Sequence, residues 1–512
     1  MKLKIKFLNL ETGGNPVVTL SRDDAEDLGV KASNRVWIEY GKNRLTAIVN
    51  IVTKSIPRGI IGVYDEVREK LKLKENDYIE LDIAKYPNSL QYIRNKLQGR
   101  KLTYDEIHEI IKDVIEGNLS EIEIAGFVTS LYNFGLDLDE AASITMSMVE
   151  TGNRLKLNRP VIVDKHSVGG VPGDKTTLLL VPIIAAAGCT IPKTSSRAIT
   201  SAAGSADRAE VLMPVEFDIN EMQRIVEKTN GCIIWGGSLH LAPADDLFIQ
   251  VEYPLSIDPL MLPSIMSKKN SVGATHVVID IPTGRGTKIK TIGDADLLAK
   301  DFIELGKRLG MKVECAVTFG EQPLGYAIGP ALEAKEALEI LMRRKNTTDV
   351  IDKVTHVADM LLKMVGKNSY SALDILKSGK AEEKMREIIF EQGGDMEIKP
   401  EEIKIGEYGM EVKAEKSGAV LWINNTALVE MARAAGSPKD KGAGILLNKK
   451  VGDSVKEGEI LLTVYAENSS KLERVSRVMK DESIFGIGDR MDMLIHEVKE
   501  IPVTKKTFIL ER

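Results

Sequence analysis

Cysteine is nearly missing from this sequence. Cys189, Cys232 and Cys315 are the only three in 512 residues, far apart, each in an apolar context and with no C-x-x-C pair. The six histidines include no H-x-x-x-H pair. That pattern argues against a disulfide framework and a structural zinc site, and buried reduced thiols are expected. No apolar run reaches membrane-spanning length; the longest is cut by Pro182 and Gly188, so no membrane partner is expected. Basic residues do not dominate either. Lys and Arg number 69 against 75 Asp and Glu, a net charge of −6 with both signs interspersed, which leaves no electrostatic footprint for nucleic acid. The N-terminal "MKLKIKFLNLETGG" opens like a signal peptide but lacks the apolar h-region and alternates like a strand. A cytoplasmic enzyme is the expectation.

What is present is a globular composition, 43% hydrophobic and 28% charged, in a chain too long for one core. Residues 1–85 read as strand-rich and contain an internal echo. "LGVKASNRVWIE" (Leu28–Glu39) and "LKLKENDYIELD" (Leu71–Asp82) share one apolar spacing, each after a short amphipathic helix. Two copies of a β–α–β unit predict a small pseudo-symmetric β-barrel that serves assembly rather than chemistry. Residues 86–158 read as a helical subdomain, joined by part of 236–275. Thr103 with Glu106 and Ser120 with Glu123 have capping-box spacing, and Leu138–Val149 is a further helix. Residues 159–395 alternate. Strands are predicted at Val161–Asp164, Cys232–Trp235, His276–Ile281 and Val313–Thr318, with helices after Lys175, from Asn220 and over Ala295–Leu309. Strands without polar alternation, separated by helices, indicate a mostly parallel sheet, so the fold class is α/β. Residues 396–512 turn β-rich again. "KGAGILLNKKVGDSVKEGEILLTVYA" (Lys441–Ala466) resembles the hammerhead of lipoyl and biotinyl carriers, although the Asp440–Lys441 pair precedes that run where a carrier lysine would follow it.

Four segments carry chemistry. "VIVDKHSVGGVPGDKTT" (Val161–Thr177) is strand, glycine loop and helix start, which turns backbone N–H groups toward an anion. Lys165 and Ser167 add a charge and a hydroxyl, and His166 stands beside the loop. "GDKT" departs from a Walker A, so a single phosphate is implied rather than a triphosphate. "TSSRAITSAAGS" (Thr194–Ser205) combines small residues, hydroxyls and Arg197, a side chain suited to holding an oxyanion in bidentate fashion. "EYPLSIDPLMLPSIMSKK" (Glu252–Lys269) sets Asp258 in an apolar run, where desolvation is expected to raise its pKa, and places Ser264 and Lys268 one helical turn apart. "DIPTGRGTKIK" (Asp280–Lys290) runs a strand into a turn with Arg285 and Lys288 at the strand's carboxyl end. Each segment alone also reads as ordinary loop or helix surface. All four lie at strand ends or helix starts, which favours a shared anion site.

"KHSVGGVPGDKTT", "SSRAITSAAGSADRAEVL" and "SIMSKK" resemble the thymidine/pyrimidine-nucleoside phosphorylase family from about Gln91 onward. "VPGDK", "PLSIDP" and the extra N-terminal module resemble its archaeal-type branch acting on nucleoside 5′-monophosphates. The resemblance implies a helical and an α/β subdomain closing over a cleft, and phosphorolysis of AMP, with CMP and UMP as further substrates. Inorganic phosphate would release the base and leave ribose 1,5-bisphosphate, with no metal or organic cofactor. By the same resemblance Asp258 is the proton donor to the leaving base and His166 lies near that base. Gly170, Ser196, Arg197, Ala198, Ile199, Thr200, Ser201, Ser205, Ser264 and Lys288 match nucleotide-contact positions, and Lys268 matches a base-contacting lysine. Lys165, Ser167 and Gly169 would place phosphate. A homo-oligomer, dimeric or larger through the N-terminal module, is expected. Val251 stands about where pyrimidine phosphorylases carry arginine, and Ala202 and Ser205 stand where the branch usually has proline and threonine. The spacing from Asp258 to Ser264 is about two residues short. Plain nucleoside phosphorolysis, a phosphoribosyltransferase and a non-catalytic assembly or carrier protein are the competing readings.

Overall fold

A closed six-stranded barrel forms the N-terminus of the computed structural model, which describes residues 1–13, 16–198 and 201–489. Its elements are β1 (Lys2–Phe7), β2 (Val17–Ser21), α1 (Arg22–Leu28), β3 (Arg35–Tyr40), β4 (Asn43–Val52), β5 (Ile60–Val63), α2 (Asp65–Leu71) and β6 (Tyr78–Ile83). The strands close in the order β1-β5-β2-β4-β3-β6. Alternate residues, among them Leu3 and Ile5, Val36 and Ile38, and Ile79 and Leu81, fill the interior, as the two-residue period of a strand requires. The two echoed segments occupy equivalent places, each a helix end followed by a strand. Arg35 of β3 forms an ion pair with Glu123 and so ties the barrel to the helices that follow.

Those helices are α3 (Ser89–Leu97), α4 (Tyr104–Glu116), α5 (Glu121–Phe134) and α6 (Leu138–Glu150). Thr103 and Glu106 form the reciprocal cap of α4, and Glu123 accepts the Ser120 N–H at the start of α5. The α/β region runs through β7 (Val163–Ser167), α7 (Thr176–Ala186), β8 (Ile191–Ser195), α8 (Ser205–Ala209), α9 (Ile219–Thr229), β9 (Gly231–Trp235) and α10 (Gly236–Leu239). It continues with α11 (Pro243–Leu255), α12 (Met261–Ser271), β10 (His276–Thr283), α13 (Ile292–Arg308), β11 (Lys312–Phe319), β12 (Ala327–Ile328), α14 (Pro330–Leu341), α15 (Thr348–Met364), α16 (Ala372–Lys377) and α17 (Lys380–Glu391). Helices α11 and α12 leave the sheet and pack on the bundle: Phe248 meets Phe127, and Leu260 joins the same apolar cluster.

Strands β11, β10 and β7 pair in parallel, β8 pairs with β9 in parallel, and a parallel bridge between Ile162 and Thr190 joins the two sets. The carboxyl ends of β7, β8 and β10 therefore lie side by side, the place where open α/β sheets bind ligands. Helix α7, "TTLLLVPIIAA", is buried almost all round, as an all-apolar helix must be. The sequence reading misses β8. Its "IPKTS" pattern carries a proline, a lysine and two hydroxyl residues, and a strand built of such residues is legible only through its neighbours.

The C-terminal region comprises β13 (Tyr408–Lys413), β14 (Gly418–Ile423), α18 (Asn425–Ala435), β15 (Gly444–Leu447), β16 (Ser454–Val455), β17 (Ile460–Ala466), α19 (Ser469–Asp481) and β18 (Phe485–Gly488). It forms sheets β12-β15-β17-β13 and β16-β14-β18, the first of which borrows β12 from the α/β region. Lys441 pairs with Glu210 of the α/β region, so it is engaged where a carrier lysine would be free. Cys189 and Cys232 are buried free thiols, whereas Cys315 is only partly covered. Among the described residues, no helix is long and apolar enough to cross a membrane.

Candidate active site

Strand β7 ends in "DKHS", and its alternation sends neighbouring side chains to opposite faces. Asp164 lies on one side, fully buried, with Lys269 of α12 at 2.7 Å and Lys193 of β8 at 3.7 Å. Lys165 lies on the other, 3.5 Å from Asp280 of β10 and 4.0 Å from Asp174 of the glycine loop. Lys353 of α15 completes this second cluster at 2.8 Å from Asp280 and 3.5 Å from Asp174. Burial works to raise the Asp174 carboxyl, but Lys353 and Lys165 overcome it and hold the group far below its ordinary range. The Thr318 hydroxyl donates to the other Asp280 oxygen at 2.6 Å. The cluster balances two cations with two anions and fixes the Lys165 amine beneath the glycine loop.

The loop itself is shaped by glycine. Gly169, Gly170 and Gly173 all have positive φ. A Cβ on Gly170 would stand 2.9 Å from the Lys288 backbone nitrogen, so only glycine lets the loop meet the 284–288 turn this closely. Gly170→Ala is expected to introduce about 1–3 kcal/mol of strain. A lower Tm together with a raised KM for phosphate would report it. The Ser167 hydroxyl accepts the Gly169 N–H at 3.3 Å.

His166, partly buried, is surrounded by cations. Burial first, then the charges of Lys269, Lys193, Lys268 and Lys165, push its pKa well below the ordinary histidine value, so the imidazole is neutral at pH 7. Burial and the Lys269 charge bring Lys193 down to about 7, with Asp164 opposing. The Lys269–Asp164 ion pair at 2.7 Å brings α12 against the end of β7.

On the helical side, Ser264 and Lys268 share one face of α12, 3.4 Å apart. Lys268 is held at 2.5 Å by Asp245 of α11, a fully buried carboxylate that the sequence reading misses. Asp258 departs from expectation. Its turn is exposed rather than apolar, the side chain is 43% accessible, and Lys288 stands 3.3 Å away. The apolar letters around it turn inward instead, with Leu260 buried in the bundle core. The buried carboxyl of this segment is Glu252, raised to about 7 by burial and then by the Asp258 charge.

The "TSSRAITSAAGS" segment begins on β8 and folds around Asp207, which accepts the N–H groups of Ala198 and Gly204 at 2.8 Å each. Arg197 is not the free cation expected. Its guanidinium lies 2.6 Å from Glu210, 2.8 Å from Glu216 and 3.3 Å from Asp207, and stacks 4.9 Å from the Trp235 ring centroid. Three carboxylates engage the guanidinium, which ties the start of this segment to α8 and the loop after it. Ser205 opens α8 and contacts Thr177 at 3.4 Å and Arg208 at 3.3 Å. Ser196 is exposed, and the Ser201 carbonyl accepts from Arg433 of the C-terminal region at 3.2 Å. Ile199 and Thr200 lie outside the described residues. Ser195 was not singled out in the sequence, yet its hydroxyl is buried without a hydrogen-bond partner at the carboxyl end of β8. Arg285 stacks over Trp422 of the C-terminal region at 5.2 Å, which leaves Lys288 as the cation beside Asp258.

Comparison with known proteins agrees in order and extent. Residues 90–152 match the helical bundle domain of the glycosyl transferase family, and 159–383 match its a/b domain. Residues 420–485 match the pyrimidine nucleoside phosphorylase C-terminal domain. The AMP phosphorylase of Thermofilum pendens is 48% identical, covering 100% of both chains. The AMP phosphorylase family includes this chain. The enzyme so named from Thermococcus sibiricus is 50% identical over 93% of this chain and 95% of its own. That from Methanococcoides burtonii is 46% identical over 98% and 100%. Among solved structures, anthranilate phosphoribosyltransferase from Thermus thermophilus aligns with a TM-score of 0.51 at 20% identity. It covers 59% of this chain and 98% of its own, a likeness of fold alone.

Proposed function

We propose that this protein cleaves AMP with inorganic phosphate, releasing adenine and ribose 1,5-bisphosphate. Full-length identity to AMP phosphorylases carries the reading, and the paired-cation site at the ends of β7 and β10 supports it chemically. Lys165, the Ser167 hydroxyl and the N–H groups at Gly169 and Gly170 hold phosphate on one face of the ribose. Such preorganised donors stabilise the charge that moves as C1′ passes through an oxocarbenium-like state. Asp258, across the site, protonates the departing base. Ser264, Lys268 and Lys288 contact the nucleotide, while the 196–205 segment supplies backbone and hydroxyl contacts. His166, kept neutral, offers the base an uncharged donor or acceptor. CMP and UMP belong to the same reading, because Val251 supplies no arginine for strict pyrimidine selection. Incubation with phosphate and AMP, CMP, UMP or GMP, in parallel with adenosine, uridine and thymidine, tests it by base release. Release from the nucleosides only rejects the 5′-monophosphate reading.

The barrel of residues 1–85 and the hammerhead-like C-terminal region are read as assembly and docking modules of a cytoplasmic homo-oligomer. Deleting residues 1–84 is expected to reduce particle mass in light scattering while the remaining sites keep their chemistry. An unchanged particle mass counts against the assembly role.

A further inference from the structure

Two segments assigned to the nucleotide meet the same helix of the C-terminal region. At one end of α18, Asn425 is 3% exposed, and its Nδ2 donates to the Gly320 carbonyl at 2.8 Å. Gly320 in turn donates its N–H to the Thr283 carbonyl at 3.0 Å, where β10 runs into the turn that carries Lys288. Contact with that turn is also direct. A Cβ on Gly286 would stand 3.3 Å from the Asn425 Cβ, and Arg285 stacks on Trp422 of β14. The Asn425 Oδ1 is buried with no hydrogen-bond partner, so among the described residues the bond to Gly320 is what orients this amide. At the other end of α18, Arg433 donates to the Ser201 carbonyl at 3.2 Å. Ala202, 2% exposed, belongs to the apolar cluster of the C-terminal region, together with Ala427, Leu428 and Met431 of α18. At the ordinary rise of an α-helix, the two grips stand about 12 Å apart along a stiff rod. Lys165, by contrast, is fixed by Asp174 and Asp280, so its placement does not depend on α18.

We propose that α18 is a positioning element of the nucleotide site, which sets the separation of the Ser201 segment from the Lys288 turn and so the fit of the nucleotide between them. The proposal rests on the reading that residues 196–205 and Lys288 contact the nucleotide. Arg433 and Asn425 are positioning residues, because they act through the backbone carbonyls of Ser201 and Gly320 rather than on the substrate. The C-terminal region then does more than dock: it holds two separate pieces of the α/β region in register. A displacement of either piece by a few tenths of an ångström weakens several ligand contacts at once, since donors and acceptors are effective only within a narrow range of distance and angle.

Arg433→Met tests this, because Arg433 is exposed and its loss leaves the apolar face of α18 intact. KM for AMP is expected to rise about three- to tenfold, the ordinary worth of one hydrogen bond, with KM for phosphate and kcat little changed. Arg433→Lys keeps a donor for the Ser201 carbonyl and should recover most of the affinity. Asn425→Leu, of similar volume, releases the turn instead. That turn also meets Gly170 of the phosphate loop, so both KM values should rise in this variant. An unchanged KM for AMP in Arg433→Met would overturn the proposal. So would a rise shared equally by phosphate in that variant, which is what loosened docking of the whole region produces, and so would Lys and Met variants that behave alike. Calorimetric binding of AMP in the absence of phosphate separates the proposal from the reaction. Wild type that binds AMP more tightly than Arg433→Met but releases no base upholds the positioning role and rejects the reaction. Equal binding by the two rejects the positioning role alone. Wild type that binds no AMP rejects the nucleotide reading and the positioning role with it.

Discussion

Asp258→Asn is expected to lower kcat for base release from AMP by about 10²–10⁴-fold, the ordinary worth of a positioned general acid. The change keeps the size of the side chain and a partner for Lys288, 3.3 Å away, so the turn should persist and KM should change little. What is lost is the proton that lets the base leave neutral. A substrate whose leaving group is stable without protonation should therefore lose far less rate than AMP in the same variant. Turnover of AMP at the wild-type rate would remove Asp258 from the chemistry. Equal losses for both substrates would instead make it a binding or folding residue.

The exposure of Asp258 marks the limit of what the chain reveals by pattern. "SIDPLML" reads as apolar surroundings for the carboxyl, yet the turn sends Leu260 into the bundle and leaves Asp258 outward. Sequence proximity does not give side-chain direction in a turn. Arg197 shows the same limit in charge. A lone cation among small residues reads as free, but its carboxylates arrive from Asp207, Glu210 and Glu216, brought round by α8 and the loop after it. Lys193, Lys353 and Asp245 could not be picked out at all, because their ion-pair partners lie at least 23 residues away, the Lys268–Asp245 separation being the smallest. Regular elements were easier. The capping box at Thr103, the start of α9 near Asn220 and the apolar strands β9, β10 and β11 depend on local chemistry, and they fall within a few residues of where the pattern puts them. Long-range electrostatics assembles the site. Local propensity assembles the scaffold.

Lys165→Met should reduce kcat/KM for phosphate by about 10²–10³-fold, comparable to removing one preorganised donor from an anion site. Lys165 is 2% exposed and shares Asp280 and Asp174 with Lys353. Removing its amine leaves two carboxylates facing a single cation, so the loop acquires a net negative charge where phosphate must enter. Two effects are then superimposed: a lost phosphate ligand, and an uncompensated buried carboxylate that destabilises the fold. The double variant Lys165→Met, Asp174→Asn separates them, because it restores the one-to-one balance of Lys353 with Asp280. Its Tm should return toward that of the wild type while kcat/KM stays low. If catalysis recovers together with Tm, Lys165 serves only to neutralise Asp174, and phosphate is held by the glycine-loop N–H groups and Ser167 alone. If neither recovers, the Asp174 carboxylate is itself required to shape the loop, which its place 3.5 Å from Lys353 and its hold on the Thr176 N–H at 3.1 Å would explain.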